Sequence, residues 1–183
     1  MFATGSFPQQ VTSADINGDG KPDLIMADAG NNTVSVLLNS TMPGNMTASF
    51  GLKQTFASGT GTFAVPAADL NGDGKPDLVI ADYNGSVSVL RNTTGPGATS
   101  ASFAALQSST VGTGVGAATL SVAVADLNGD GKPDIVAANS GNGDKSLSVL
   151  LIAAQCLITG TTPTGTIAHD IIYIDGFGFV PAN

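Results

Sequence analysis

The chain has 183 residues, 42% of them hydrophobic, and its fourteen acidic residues, all Asp, face only six Lys and Arg, which gives a formal net charge of −8. This length allows a substantial core in one or two domains. The sequence has no basic patch of the kind that binds nucleic acid. Its longest apolar run, Val149–Ala154, is far shorter than the roughly 20 residues of a membrane helix. The single cysteine, Cys156, excludes an intrachain disulfide, and we expect it to be a small buried hydrophobe.

Short apolar stretches separated by turn residues recur along the chain in a fixed order. An alternating stretch ("QQVTSAD", "FAVPAAD", "LSVAVAD") precedes a polar loop, and a continuous apolar run ("LIMA", "LVIA", "IVAA") follows it. A turn and then "VSVLLN", "VSVLRN" or "LSVLLI" come next, and a weaker fourth strand fits "FGLKQTFA" and "FAALQSS". This order predicts an all-β chain of repeated four-stranded units. Continuous apolar runs indicate strands that are covered on both faces, as in stacked sheets.

The polar loop between the first two strands is nearly identical in the three units. It reads "DINGDGKPD" at 15–23 and "DLNGDGKPD" at 69–77 and 126–134, so the copies start 54 and 57 residues apart. The three copies contain nine of the fourteen Asp and three of the six Lys and Arg, and so contribute −6 of the net charge. The acidity of the chain is therefore local to these loops.

Oxygen-bearing side chains occupy positions 1, 3, 5 and 9 of each loop. Alternate spacing lets a tightly curled loop aim successive oxygens at one centre, and Gly at positions 4 and 6 permits the backbone angles that such a curl requires. The Lys at position 7 would supply its backbone carbonyl. Three carboxylates, one amide and one carbonyl form the hard oxygen set that Ca²⁺ prefers, whereas Mg²⁺ fits less well and zinc or copper would require Cys or His.

Two alternatives compete with this interpretation. An EF-hand loop, and likewise a dockerin-like loop, closes with an acidic residue at position 12, but that position here is Met26, Ile80 or Ala137. The loops could also be simple turns, because Asp, Asn and Gly are common turn formers. Three copies with Asp at positions 1, 5 and 9 favour cation binding.

The loop and its flanking strands resemble the FG-GAP/VCBS repeats of integrin α-subunit propellers and bacterial surface proteins, over about residues 5–153. The resemblance implies a partial β-propeller of about three four-stranded blades, each with Ca²⁺ in the hairpin loop between its first two strands, and therefore about three Ca²⁺ per chain. It implies the following ligands, with each Lys acting through its carbonyl: Asp15, Asn17, Asp19, Lys21 and Asp23; Asp69, Asn71, Asp73, Lys75 and Asp77; Asp126, Asn128, Asp130, Lys132 and Asp134.

The chain divides into residues 1–157, which hold the three blades, and residues 158–183, a linker followed by a segment that resembles the first strands of an IPT/TIG immunoglobulin-like domain. Integrin-type propellers close with seven blades, so three blades are expected to belong to a larger protein or to self-associate through their open edges. The resemblance implies a secreted or cell-surface location, although Met1 lies too close to the first blade to leave room for a signal peptide.

These features predict a calcium-binding, non-catalytic extracellular module for adhesion or ligand binding. The only histidine is His169, in the C-terminal segment, and no Gly-x-Ser-x-Gly motif occurs, so we expect no enzyme activity. The alternative is a carbohydrate-binding propeller, although the chain has no Trp and only two Tyr. The expected partner is an extracellular protein or glycan, and neither nucleic acid nor insertion into a membrane is expected.

Overall fold

The computed structural model describes residues 1–111, 118–140, 145–152, 173–175 and 178–180. These residues form strands, turns and loops, and no helix occurs among them, so the all-β prediction is confirmed. A helix long and apolar enough to span a membrane is accordingly not found in this part of the chain.

The first repeat forms a four-stranded antiparallel sheet, sheet 1, in which strands adjacent in sequence are paired. Its strands are β1 (Pro8–Ala14), β2 (Asp23–Asp28), β3 (Thr33–Leu37) and β4 (Gln54–Ala57). The fourth strand lies within the predicted "FGLKQTFA" segment.

The second repeat forms sheet 2, which has the same order but a divided first strand. Both β5 (Thr62–Ala64) and β6 (Ala67–Ala68) pair with β7 (Asp77–Asp82), which is followed by β8 (Ser86–Leu90) and β9 (Gln107–Thr110). Pro66 lies between β5 and β6. Because proline has no N–H to donate to the ladder, the strand is interrupted there, while the Pro66 carbonyl still accepts a bond from Val79 N at 3.0 Å.

The third repeat forms sheet 3 from β10 (Ala118–Ala125), β11 (Asp134–Ser140) and β12 (Lys145–Leu150). It has three strands among the described residues, whereas sheets 1 and 2 have the four positions that were predicted. Farther along, β13 (Tyr173–Asp175) and β14 (Gly178–Val180) pair as an antiparallel hairpin. Cys156, His169 and most of the segment predicted to resemble an IPT/TIG domain lie outside the described residues.

The registers of the three sheets are equivalent, which defines two faces for each sheet. In the two middle strands Leu24 pairs with Leu37, Leu78 with Leu90, and Ile135 with Leu150. Since side chains alternate along a strand, these pairs lie on one face, which we call the rear face. The neighbouring positions, such as Ile25 and Val36 in sheet 1, form the forward face.

Two hydrophobic cores join the sheets in sequence. The forward face of sheet 1, with Ile25, Ala27, Val34 and Val36, packs against the rear face of sheet 2. The forward face of sheet 2 packs in the same way against the rear face of sheet 3. As a result every residue of β7 and β8 is buried, as the continuous apolar runs predict.

Candidate metal-binding loops

Each predicted loop is the hairpin connection that joins the first strand of its sheet to the second. The strands close the hairpins at the pairs Ala14–Asp23, Ala68–Asp77 and Ala125–Asp134. Both glycines of every loop have positive φ, for example 65° at Gly18 and 82° at Gly20. A Cβ at these glycines would meet no atom within 4 Å, so the backbone conformation, not space, requires glycine here.

The Asp at position 1 is placed at the inside of the curl. The Asp69 carboxylate accepts hydrogen bonds from the N–H groups of Gly72 at 2.8 Å, Asp73 at 3.1 Å and Gly74 at 2.8 Å. Asp126 accepts the three equivalent bonds, and Asp15 accepts the bonds from positions 5 and 6 of its loop. Successive N–H groups that converge on one oxygen-bearing side chain force the backbone to turn around it.

The side chains at positions 3 and 5 continue this curl. In the second loop Asn71 Oδ1 accepts from Asp73 N at 2.9 Å, and Asp73 Oδ1 accepts from Lys75 N at 2.9 Å. The third loop repeats both bonds, and so does the first. The amide nitrogens differ, because Asn71 donates to Asp73 of its own loop at 3.2 Å whereas Asn17 donates to the Ala98 carbonyl in the next repeat at 2.9 Å.

The Asp at position 9 also makes hydrogen bonds that stabilise the fold, in addition to its predicted role as a metal ligand. Asp77 is fully buried and accepts from Leu70 N at 3.2 Å and from Asn92 N at 2.7 Å. Asp23 and Asp134 accept the two equivalent bonds. Each of these carboxylates therefore fastens the start of its loop to the end of the third strand.

Burial raises the pKa of Asp23 and Asp77 above the ordinary value. The backbone N–H donors act in the opposite direction, and the other two carboxylates of the same loop raise the pKa further. The three carboxylates of a loop are thus close enough to repel one another, which is the condition that a bound cation relieves.

The described structure does not direct these carboxylates at a common centre. No group of three or more His, Cys, Asp or Glu side chains arranged to hold a metal ion occurs among the described residues, because the loop carboxylates are turned onto backbone N–H groups. Lys21 Nζ also lies 3.7 Å from Asp19 Oδ2. The donor set consists of oxygens alone, which is the chemistry that Ca²⁺ prefers, and the calcium assignment stays a prediction.

Comparison with known families decides the identity of the repeat. The model of the FG-GAP-like repeat matches residues 15–80 and 69–137, so each match starts at the first Asp of a loop and runs into the second strand of the next repeat. The chain belongs to the FG-GAP-like repeat family. A search of the curated proteins found no match.

A second polar position recurs in these FG-GAP-like repeats, at the end of the second strand. Asp28, Asp82 and Asn139 are all buried, and hydroxyl groups of the third strand bond to each of them. Ser35 donates to Asp28, Ser86 and Ser88 donate to Asp82, and the Asn139 amide donates to Ser148 Oγ at 2.8 Å. The sequence places these residues after an apolar run but contains no signal that they are buried and linked to the third strand.

The pKa of Asp82, the second of these residues, lies above its ordinary value. Burial raises its pKa to about 6, although the serine hydroxyls oppose the shift. The Gly59 N–H and the two serine hydroxyls donate to this carboxylate, but they do not offset the cost of burying its charge.

The chain is therefore expected to lose stability as the pH rises towards about 6, because the buried Asp82 carboxyl then ionises. Because the folded-state pKa lies above the unfolded value of 3.8, the contribution is complete below about pH 4 and is lost across the window up to about pH 6. Urea unfolding of wild type and Asp82→Asn between pH 4 and 7.5 tests this, because the difference between their free energies of unfolding should change by on the order of 2–3 kcal/mol across the window. Parallel pH profiles for the two proteins would contradict it.

Proposed function

We propose that the three loops bind Ca²⁺ and that the chain is a non-catalytic, calcium-binding repeat module of a secreted or cell-surface protein, used for adhesion or ligand binding. The observation that supports this most is the repetition of one loop. All three copies have the same oxygen-bearing side chains, the same positive-φ glycines and the same hydrogen bonds from the backbone N–H groups at positions 5, 6 and 7. Ordinary turns of equal length do not require such agreement.

The residues that would hold each ion are the side chains at positions 1, 3, 5 and 9 and the Lys carbonyl at position 7. A bound Ca²⁺ would supply two positive charges to a loop that contains three carboxylates and one Lys. Burial is the main reason that the pKa of Asp23 and Asp77 is raised, and repulsion by the other loop carboxylates adds to it; a bound cation would relieve that repulsion. Extracellular modules of this kind bind Ca²⁺ with dissociation constants on the order of 10⁻⁴–10⁻³ M.

Asp73→Asn is expected to weaken calcium binding by its own loop about tenfold or more, since ligand charge count sets the affinity of such sites. The amide keeps an oxygen that can accept the bond from Lys75 N and loses only the exposed bond from Asn71 at 3.2 Å, so the loop should fold nearly as before without calcium. Calcium titration and thermal unfolding, each compared with wild type, measure the two effects. The melting temperature should fall relative to wild type in millimolar calcium and not in excess chelator.

Asn84→Asp provides a matched control, because it changes one charge in the opposite turn of the same sheet. It should leave the number and affinity of the calcium sites unchanged. If Asp73→Asn lowers the melting temperature equally with calcium and with chelator, Asp73 contributes to folding alone and is not a calcium ligand.

Carbohydrate binding is a second candidate for the ligand, favoured by one exposed aromatic pair. Tyr83 is 58% exposed and stacks on Phe63, with ring centroids 5.6 Å apart and planes at 24°. Such a platform lets a sugar face stack on an aromatic ring that is already held in place. Binding to a glycan array that disappears in Tyr83→Ala would support a lectin. Unchanged binding by the variant would show that the Tyr83–Phe63 pair does not bind the sugar.

A further inference from the structure

A segment of the second repeat lies against the first of the three loops. This segment, residues 92–103, connects β8 to β9, and we call it the capping segment. Three hydrogen bonds join it to positions 2 and 3 of the loop: Asn92 Nδ2 donates to the Ile16 carbonyl at 2.9 Å, Gly97 N donates to the Asn17 carbonyl at 2.6 Å, and Asn17 Nδ2 donates to the Ala98 carbonyl at 2.9 Å. The first loop is therefore held by its own sheet and by the next repeat.

The capping segment is itself fixed by internal hydrogen bonds. Asn92 and Phe103 pair as an isolated bridge at its two ends. Next to this bridge, Asn92 Oδ1 accepts from Thr94 N at 2.9 Å, and Thr93 N donates to the Ser102 carbonyl at 2.9 Å. The segment therefore presents its tip to the first loop as a preformed unit.

The turn at the tip of the capping segment depends on Gly97. Ala98 N donates to the Gly95 carbonyl at 3.1 Å, Pro96 is the second residue of the turn, and Gly97, the third, has a φ of 65°. These are the features of a type II turn, which requires positive φ at its third residue. The Gly97 N–H belongs to the central peptide of the turn, so the turn type decides where this N–H points.

The capping segment also determines the orientation of the Asn17 amide. Asn17 is 5% exposed, its Nδ2 donates to the Ala98 carbonyl, and its Oδ1 accepts from Asp19 N within the loop at 3.3 Å. Because an amide nitrogen donates and an amide oxygen accepts, only this orientation satisfies both contacts. The oxygen that is predicted to bind calcium therefore faces the loop because the next repeat holds the nitrogen.

The amide at this position has other contacts in the second and third loops. Asn71 and Asn128 are exposed, and they donate to Asp73 and Asp130 of their own loops at 3.2 and 3.4 Å. The nitrogen there engages a second predicted ligand, whereas in the first loop it engages a backbone carbonyl of another repeat. Three loops of nearly identical sequence therefore differ in how the ligand at position 3 is held.

We propose that the capping segment positions Asn17 for calcium, so that an ion in the first loop and the contact of that loop with the second repeat stabilise each other. This inference rests on the proposed calcium binding and extends it to a coupling between repeats. A ligand that is held in place before binding loses less conformational entropy when it binds. The coupling is reciprocal: if docking of the segment raises the calcium affinity about tenfold, calcium favours docking by the same factor.

Gly97→Ala tests the coupling without a change in the loop itself. Alanine disfavours the positive φ of the turn. A change towards a type I turn rotates the central peptide, so its N–H no longer reaches the Asn17 carbonyl. Calorimetric calcium titration should show one of the three proposed sites weakened about tenfold relative to wild type. In an Asp19→Asn background, which weakens the first loop directly, Gly97→Ala should leave the other two sites unchanged.

Two variants control for the substitution. Asparagine is accepted at the third residue of a type II turn, so Gly97→Asn should bind calcium as wild type does. Gly44→Ala introduces the same strain in the equivalent turn of the first repeat, where Asn45 N donates to the Met42 carbonyl at 3.1 Å and Gly44 has a φ of 81°. A Cβ would meet no atom within 4 Å at either glycine. Among the described residues the Gly44 turn has no hydrogen bond to a loop, so Gly44→Ala should leave all the sites unchanged.

Hydrogen exchange of the Gly97 amide measures the reciprocal effect in the wild-type chain, so it decides the question even if Gly97→Ala does not fold. If this amide exchanges when the capping segment leaves the loop, saturating calcium should slow its exchange about tenfold in wild type and not in Asp19→Asn.

The outcomes separate the coupling from the calcium binding on which it rests. A wild-type chain without calcium sites would overturn both. Wild-type affinity at every site of Gly97→Ala, an equal loss in Gly97→Asn or Gly44→Ala, or exchange of the Gly97 amide that calcium does not change would each overturn the coupling and leave calcium binding in place.

Discussion

Asp77→Ala is expected to lower the free energy of unfolding by about 2–4 kcal/mol, with calcium and without it. The carboxylate is fully buried and accepts from Leu70 N and Asn92 N. Truncation leaves both N–H groups without an acceptor, and an unsatisfied buried donor costs about 1–3 kcal/mol. Relief of the burial that raises the pKa of Asp77 offsets part of the loss. Urea unfolding of metal-stripped protein in excess chelator measures the effect.

Asp73→Asn separates this structural role from calcium binding, because both residues belong to one loop. In chelator Asp73→Asn should unfold as wild type does, and Asp77→Ala should not. If Asp77→Ala loses less than about 0.5 kcal/mol in chelator, which is the range of a neutral surface substitution, the two backbone bonds do not hold the third strand to the loop.

Gly59→Ala is expected to destabilise the chain by about 1–3 kcal/mol, the usual cost of forcing an extra group into a packed site. A Cβ at Gly59 would lie 2.1 Å from Asp82 Oδ2. The buried carboxylate would then have to leave the hydroxyls of Ser86 and Ser88. Thermal or urea unfolding of the variant at pH 7 measures the loss.

Gly51→Ala is the control for that substitution. A Cβ at Gly51 would meet only the Leu38 carbonyl, at 3.6 Å, and should change stability by no more than about 0.5 kcal/mol. The double variant of Gly59→Ala with Asp82→Ala should lose less than the sum of the two single variants, since the clash requires both side chains. Additive losses would show that Gly59 matters for another reason.

Much of the fold could be predicted from the sequence because three levels of pattern agree. The nonapeptides mark a hairpin in each repeat, the apolar runs after them mark a strand buried on both faces, and the interval between loops sets the size of the unit. The weaker fourth strands, Gln54–Ala57 and Gln107–Thr110, overlap the segments predicted for them but begin later. The division of the first strand of sheet 2 follows from Pro66 and was not predicted.

The candidate site was predictable in its residues and less so in their roles. Spacing identifies Asp77 as one of four oxygen-bearing side chains, but its buried bond to Asn92, fifteen residues later in sequence, depends on how the third strand returns to the loop. The burial of Asp82 likewise depends on a distant part of the chain, because Gly59 from an earlier turn packs against its carboxylate. Contacts between distant parts of the chain have no local signal, so the sequence shows the polar residue and not its burial.

Calcium titration of the metal-stripped full chain by calorimetry tests the central claim most directly. The account predicts about three sites per chain, one for each loop, with dissociation constants on the order of 10⁻⁴–10⁻³ M, and two remaining sites of that affinity in Asp73→Asn. Absence of binding at millimolar calcium would contradict it, and the nonapeptides would then be turns held by their own hydrogen bonds.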